Sequence, residues 1–222
     1  MTARHLSSSR GKVANEAASL LYTGQEKEYK QAKLKAAKML GTHILPSNAE
    51  VADALDRIAE EREGETREKN LVLRRKEALQ VMESLREMHP RLTGSVWRGT
   101  AHKNSDVDVV AFSNSPENVL RKLEQNNYKI VDKEWQSVTK HGEEIRTFHI
   151  RLKLPSNIEG EVIIRRLERL RVKEICEIYG DVQTGLEIDQ LERLLETEPA
   201  RKFTHLPHCA VPDYISQEEK SA

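Results

Sequence analysis

The 222-residue sequence has only two cysteines, Cys176 and Cys209, and 5% aromatic residues. The cysteines form neither a Cys-x-x-Cys pair nor a zinc-binding spacing, which is typical of reduced thiols in a cytosolic protein. The formal net charge is zero, so no global basic field attracts nucleic acid, and any such contact needs a local patch. No apolar run approaches the ~20 residues of a membrane span. We therefore expect a cytoplasmic protein without a membrane contact.

The composition, 37% hydrophobic and 32% charged, is that of a globular chain large enough for one large domain or two small ones. The N-terminal part predicts a helix over about 11–40, broken near Thr23-Gly24, and a second helix opened by a capping box, Ser47 to Glu50. A third amphipathic helix is predicted over about 66–88. The acidic stretch around Gly64 divides the chain into a helical region, 1–64, and a second domain, 65–222.

The hydrophobic period changes after His89-Pro90. Strands are predicted over 92–97, 107–112, 128–131, 145–154 and 161–164, and helices over 116–125, 167–179 and 186–196. The tail after Pro199 is expected to be irregular; a zinc site at His205, His208 and Cys209 is the less favoured alternative, because it lacks a fourth ligand. This order indicates an α+β core with a helical N-terminal extension.

Two carboxylates stand one residue apart at the start of an apolar strand, in the segment GSVWRGTAHKNSDVDVV (94–110). On a strand, Asp106 and Asp108 project from one face while Val107 and Val109 enter the core. Carboxylates about 6–7 Å apart repel each other unless a cation lies between them. Hard oxygen ligands of this kind suit Mg²⁺ or Mn²⁺. The pattern therefore predicts a divalent-metal site.

The preceding turn, Gly94-Ser95, is suited to a close approach of backbone and hydroxyl to a phosphate. Gly-Ser, ten intervening residues and Asp-x-Asp, followed by Val-Val-Ala-Phe, resemble the motif of the DNA polymerase beta-like nucleotidyltransferase superfamily. Arg98-Gly99-Thr100-Ala101 and Ser105 are similar to the form found in minimal nucleotidyltransferases. The resemblance covers about Gly94 to Phe112 at the level of the motif, and about residues 66–166 in the order of elements.

The resemblance implies a mixed β-sheet flanked by helices, a nucleoside triphosphate bound through Gly94 and Ser95, and two divalent ions, Mg²⁺ or Mn²⁺. It also implies metal ligation by Asp106, Asp108 and a third acidic residue on a neighbouring strand. We favour Glu161 as this catalytic residue because it opens an apolar strand; Glu159, two residues earlier, is the alternative. Further candidates for contact with the nucleotide are Arg98, Lys103 and Ser105. His149 and Arg151 are candidates to flank the site.

The function that follows is an enzyme, a nucleotidyltransferase that moves a nucleoside monophosphate from an NTP, expected to be ATP, to a hydroxyl and releases pyrophosphate. The acceptor could be an RNA end, a protein or a small molecule. Alternatives are a non-catalytic nucleotide- or nucleic-acid-binding protein, in which the lysines of 27–38 contact nucleic acid, and a toxin–antitoxin-type nucleotidyltransferase. The sequence leaves the oligomeric state open.

Overall fold

The computed structural model describes residues 3–140 and 143–204. The chain forms two compact units. Of the described residues, the helical unit contains 3–68, His102–Asn104 and Cys176–Gly180, and the sheet unit contains Lys69–Ala101, 105–140, 143–175 and 181–204. The division at residues 64 and 65 stays a prediction. In the described part of the chain, no helix combines the length and the apolar character that crossing a membrane requires.

The helical unit is built from α1 (Ala3–Tyr22), α2 (Tyr29–Met39) and α3 (Asn48–Glu63). The predicted break is confirmed, since Gly24 has a φ of 72° in the turn after α1. The predicted capping box is also confirmed: the Ser47 hydroxyl accepts from the Glu50 N–H at 3.2 Å, and the Glu50 carboxylate accepts from the Ser47 N–H at 2.7 Å. Small buried side chains, mostly alanines, allow these helices to pack closely.

The sheet unit contains a five-stranded mixed sheet. Its strands are β1 (Arg91–Thr93), β2 (Val107–Phe112), β3 (Lys129–Lys140), β4 (Glu143–Lys153) and β5 (Glu159–Arg165), in the order β1-β2-β5-β4-β3. β2 and β5 are parallel, and the other neighbours are antiparallel. The helices are α4 (Glu65–Ser84), which continues from the helical unit, α5 (Gly94–Arg98), α6 (Pro116–Gln125) and α7 (Ile188–Thr197). This arrangement confirms the predicted α+β fold with helices preceding the sheet.

The core of the sheet unit lies against one face of the sheet. Alternate strand residues such as Val107, Val109 and Val162 pack there with apolar residues of the helices, including Met82, Leu123 and Leu191. Because successive side chains of a strand point to opposite faces, the residues between them, among them Asp108 and Glu161, belong to the other face. The core therefore determines the direction in which the candidate carboxylates project.

Three predicted elements differ from the structure. The strand predicted over 92–97 ends at Thr93, because Gly94 takes a φ of 67°, outside the β region, and starts α5. The strand predicted over 128–131 extends to Lys140 because β4 pairs with it along its whole length. The helix predicted over 167–179 is only a 3₁₀ turn at Leu167–Arg169, since Ile175 instead forms a β-bridge with Val182. His205, His208 and Cys209 lie outside the described residues.

Candidate active site

The two strands at the centre of the sheet bring two of the candidate carboxylates together. In the parallel pair β2–β5, Asp108 stands directly opposite Glu161, about 4.8 Å away across the strands. Asp106 precedes β2 by one residue and its charge raises the pKa of Asp108. The alternative third residue, Glu159, is 74% exposed and pairs with Lys153 at 3.1 Å, whereas the side chain of Glu161 is 20% exposed. The register therefore favours Glu161 over Glu159.

The pKa values of the three candidate carboxylates are shifted in different directions. Burial, reinforced by the charges of Asp106 and Glu161, raises the pKa of Asp108 to about 8. Desolvation also raises the pKa of Asp106, and Glu161 adds to the effect. The pKa of Glu161 is instead lowered, first by its hydrogen bond with His149 and then by the nearby Arg151. Three negative charges are not favourable together here unless a cation compensates them.

His149 and Arg151 on β4 flank Glu161, as the sequence indicated. The Nδ1 of His149 lies 3.1 Å from Glu161 Oε1, and the Nε of Arg151 lies 3.7 Å from the same oxygen. Because a carboxylate only accepts, Nδ1 donates, and the Nε2 of a neutral ring then accepts from the Thr147 hydroxyl at 2.8 Å. This chain of hydrogen bonds orients Glu161 from β4, whereas Asp108 lies on the opposite side of β5, on β2.

Gly94 is in contact with the carboxylate of Asp108. A Cβ added at Gly94 would overlap Asp108 Oδ2, and the φ of 67° would strain any other residue as well. The hydroxyl of Thr93 also faces this strand, since its Oγ1 lies 3.4 Å from the Asp108 carbonyl oxygen. The start of the Gly-Ser segment is therefore packed against the carboxylate site, with Gly94 next to Asp108.

Other predicted nucleotide contacts are placed differently. Arg98 is buried and donates to both carboxylate oxygens of Asp181, at 2.5 and 2.7 Å, and to the carbonyl of Phe203 at 2.9 Å. Its guanidinium is paired inside the sheet unit, and its predicted contact with nucleotide stays a prediction. Ser105, whose carbonyl accepts from Arg74 at 3.2 Å, directly precedes Asp106.

Lys103 belongs to the helical unit. Its ammonium lies 4.8 Å from the centroid of the Tyr22 ring, and its backbone N–H donates to Glu63 at 3.0 Å. These contacts place Lys103 in the packing of the helical unit. Its predicted contact with nucleotide stays a prediction.

The carboxylates have the donor chemistry of a divalent-cation site. Oxygen ligands suit Mg²⁺ or Mn²⁺. Burial and then the charges of Asp106 and Glu161 raise the pKa of Asp108, and a cation between these carboxylates would relieve their repulsion. Among the residues that the structure describes, no three His, Cys, Asp or Glu side chains already stand at the spacing of a complete metal site. The residue types and their placement fit a cation, and the carboxylate side chains would have to move closer together to bind it.

Comparison with protein families decides the class of the protein. The family model described as a nucleotidyltransferase domain matches residues 75–204, well over half of the chain. The chain belongs to the nucleotidyltransferase domain family. The resemblance inferred from the Gly-Ser and Asp-x-Asp motif is thus confirmed at the level of the superfamily. The matched range of the nucleotidyltransferase domain includes all three candidate carboxylates and the Gly-Ser turn.

Two of the solved structures that are similar to this nucleotidyltransferase domain are terminal uridylyl transferases. One is a cytoplasmic RNA terminal U-transferase, 17% identical, with a TM-score of 0.32, covering 43% of this chain and 29% of that one. Another is terminal uridylyl transferase 4 from Trypanosoma brucei with bound GTP, 15% identical, with a TM-score of 0.29, covering 55% and 43%. The chain spans less than half the length of either structure. No curated protein matches the sequence.

Sequence reasoning missed the buried arginine that supports the Gly-Ser turn of the nucleotidyltransferase domain. Arg75 on α4 is fully buried and donates to the carbonyls of Val96 and Trp97 in α5, at 3.1 and 3.0 Å, and to that of Arg201 at 2.8 Å. The pair Arg74-Arg75 lies within a charged helix, and the sequence gave no signal that both side chains are buried. Arg75 ties α5 to α4 and to the chain after α7.

Proposed function

We propose that the protein is a metal-dependent nucleotidyltransferase that transfers a nucleoside monophosphate from an NTP, with ATP the expected donor, to a hydroxyl. The observation that carries the proposal is a cluster of three carboxylates on one face of the sheet, in which Asp108 stands opposite Glu161 and Asp106 lies beside them. Bound Mg²⁺ or Mn²⁺, two ions in the proposed complex, would activate the hydroxyl and neutralise charge on the phosphates.

Asp106 and Asp108 would supply oxygen ligands from the same face of the sheet. Glu161 would contribute Oε2, the oxygen other than the one that His149 contacts. His149 keeps Glu161 ionised and oriented, which the lowered pKa of Glu161 supports. Gly94 allows the turn to approach Asp108 closely, and Ser95 and Ser105 are proposed to contact the phosphates. Arg98 is left out, because it is paired with Asp181.

The bond changes follow from the transfer itself. The oxygen of the acceptor hydroxyl forms a bond with the α-phosphorus, and the bond between that phosphorus and the oxygen bridging to the β-phosphorus breaks. Pyrophosphate leaves with the electron pair of the broken bond, and the proton of the hydroxyl passes to solvent. The chain's part is to hold donor and acceptor in line.

The test measures pyrophosphate release with Mg²⁺ or Mn²⁺, each of the common NTPs, and RNA, protein or small-alcohol acceptors. We expect the wild type to release pyrophosphate with one of these acceptors, and Asp108→Asn and Glu161→Gln to lose about 100-fold or more. Glu159→Gln is the matched control, because it removes an exposed carboxylate of the same strand. Its activity should stay close to that of the wild type.

Two outcomes would contradict the proposal. If wild type and the double variant Asp106→Ala/Asp108→Ala release pyrophosphate at the same background rate with every donor and acceptor, the non-catalytic alternative is favoured. If Glu159→Gln loses activity and Glu161→Gln does not, the assignment of the third carboxylate is wrong.

A further inference from the structure

β3 carries an exposed aromatic side chain outside the carboxylate site. Trp135 is 54% exposed, whereas Trp97, the other tryptophan of the chain, is 2% exposed. The ring of Trp135 packs on Phe148 of β4, with centroids 5.0 Å apart, and the guanidinium of Arg146 lies 5.2 Å from its centroid. A ring supported in this way and still more than half exposed offers a preorganised surface for stacking.

Arginines surround this ring. Trp135, Arg146, Arg165 and Arg166 line one pocket of about 150 Å³, together with polar residues such as Ser113 and Asn114. None of the described residues that line it is acidic. Arg165 is held by Glu174 at 2.7 Å, while Arg166 reaches Glu168 only at 3.7 Å with both side chains largely exposed. Such an exposed pair contributes little, so Arg146 and Arg166 are the cations most accessible to a ligand.

The pocket lies on the opposite face of the sheet from the carboxylates. Trp135 stands opposite Phe148, and Phe148 stands opposite Ile164. Ile164 is three residues from Glu161 on β5, and an odd separation along a strand means opposite faces. The pocket is therefore a second site and cannot be part of the carboxylate site.

We propose that Trp135, Arg146 and Arg166 form a binding surface for single-stranded nucleic acid. Stacking of a base on an exposed aromatic ring, next to arginines that contact the phosphates, is the general mode of sequence-tolerant single-strand binding. The zero net charge of the chain makes a local cluster of arginines necessary for any such contact. A protein interface would need an apolar centre, and here the neighbours of Trp135 in the pocket are mainly polar or charged.

The test uses the full chain and a short fluorescein-labelled oligouridylate, with fluorescence anisotropy at about 50 and about 200 mM salt. We expect Trp135→Ala to weaken binding about 5- to 100-fold and Trp135→Phe, which keeps a stacking ring, to retain most of the affinity. Arg146→Ala should weaken binding and reduce the slope of log affinity against log salt by about 0.7. Unlabelled RNA should quench the fluorescence of the wild type but not that of Trp135→Phe.

The controls separate this surface from the proposed catalytic site. Arg121→Ala removes an exposed arginine of α6 that does not line the pocket, and its affinity should be nearly unchanged. Binding is measured without NTP and in the presence of EDTA, so a failure of the proposed catalysis leaves this result intact. The proposal is wrong if Trp135→Ala and Arg146→Ala bind as tightly as the wild type. It is also wrong if RNA does not bind and sedimentation shows self-association that Trp135→Ala abolishes.

Discussion

Replacing Asp108 by asparagine tests how much the charge of this carboxylate destabilises the folded protein in the absence of metal. The pKa of Asp108 is raised to about 8 in the folded protein, against an ordinary value of 3.8. Between about pH 4 and about pH 8 the folded state therefore holds a proton that the unfolded chain has lost. The stability of the metal-free wild type falls as the pH rises through this interval, and Asp108→Asn, which has no charge, does not share that fall.

The size of the effect follows from the two pKa values of Asp108. Their difference corresponds to at most about 6 kcal/mol at pH 8. Asp108 is partly exposed to solvent, and its pKa depends on the charges of Asp106 and Glu161. Water screens part of the cost, so we expect metal-free Asp108→Asn to exceed the wild type by about 2–3 kcal/mol at pH 8.

Urea unfolding in the presence of EDTA, followed at several pH values, measures this difference. The two proteins should converge near pH 4 and separate toward pH 8, with Glu159→Gln as a control that shows no such separation. Added Mg²⁺ should stabilise the wild type, by about 2.7 kcal/mol at a hundredfold excess over its Kd, and leave Asp108→Asn unchanged. A variant that is no more stable than the wild type at pH 8 would refute the reasoning.

Three further changes test individual contacts of the structure. Gly94→Ala should lower pyrophosphate release about 100-fold while circular dichroism shows a folded protein, because its Cβ would displace the carboxylate of Asp108; unchanged activity would contradict the contact. Asp181→Asn should lower the free energy of unfolding by about 3 kcal/mol, since it leaves Arg98 buried without its charge partner, and a loss below 1 kcal/mol in urea titration would argue against it. Ser47→Ala should cost about 1 kcal/mol through loss of the helix cap, measured in the same way, with Ser47→Thr expected to stay near the wild type.

Local patterns were sufficient where an element depends on its own neighbours. The Ser47 capping box and the alternation of Asp106, Val107 and Asp108 could be predicted, because each depends on residues within one turn or one strand. The family could be recognised for the same reason, since the Gly-Ser and Asp-x-Asp motif is a short segment of chain.

Patterns failed where distant contacts override local preference. The apolar and charged residues of 167–179 have the spacing of a helix, yet Arg165 and Arg169 both reach Glu174 and the segment does not form one. The sequence predicted a nucleotide contact for Arg98 and did not indicate that its side chain is buried. Its partner, Asp181, is far along the chain and meets it only in the folded protein.

The sequence by itself determined the α+β class, the family and the two aspartates on one face of β2, because these depend on periods of two and on a short motif. Only the tertiary structure placed Glu161 opposite Asp108, through the parallel register of β2 and β5, which supports the proposal that Glu161 is the third carboxylate. It also decided that His149 orients Glu161 and that Trp135 stands exposed on the opposite face. These relations join strands that are distant in sequence, so they exist only once the sheet has formed.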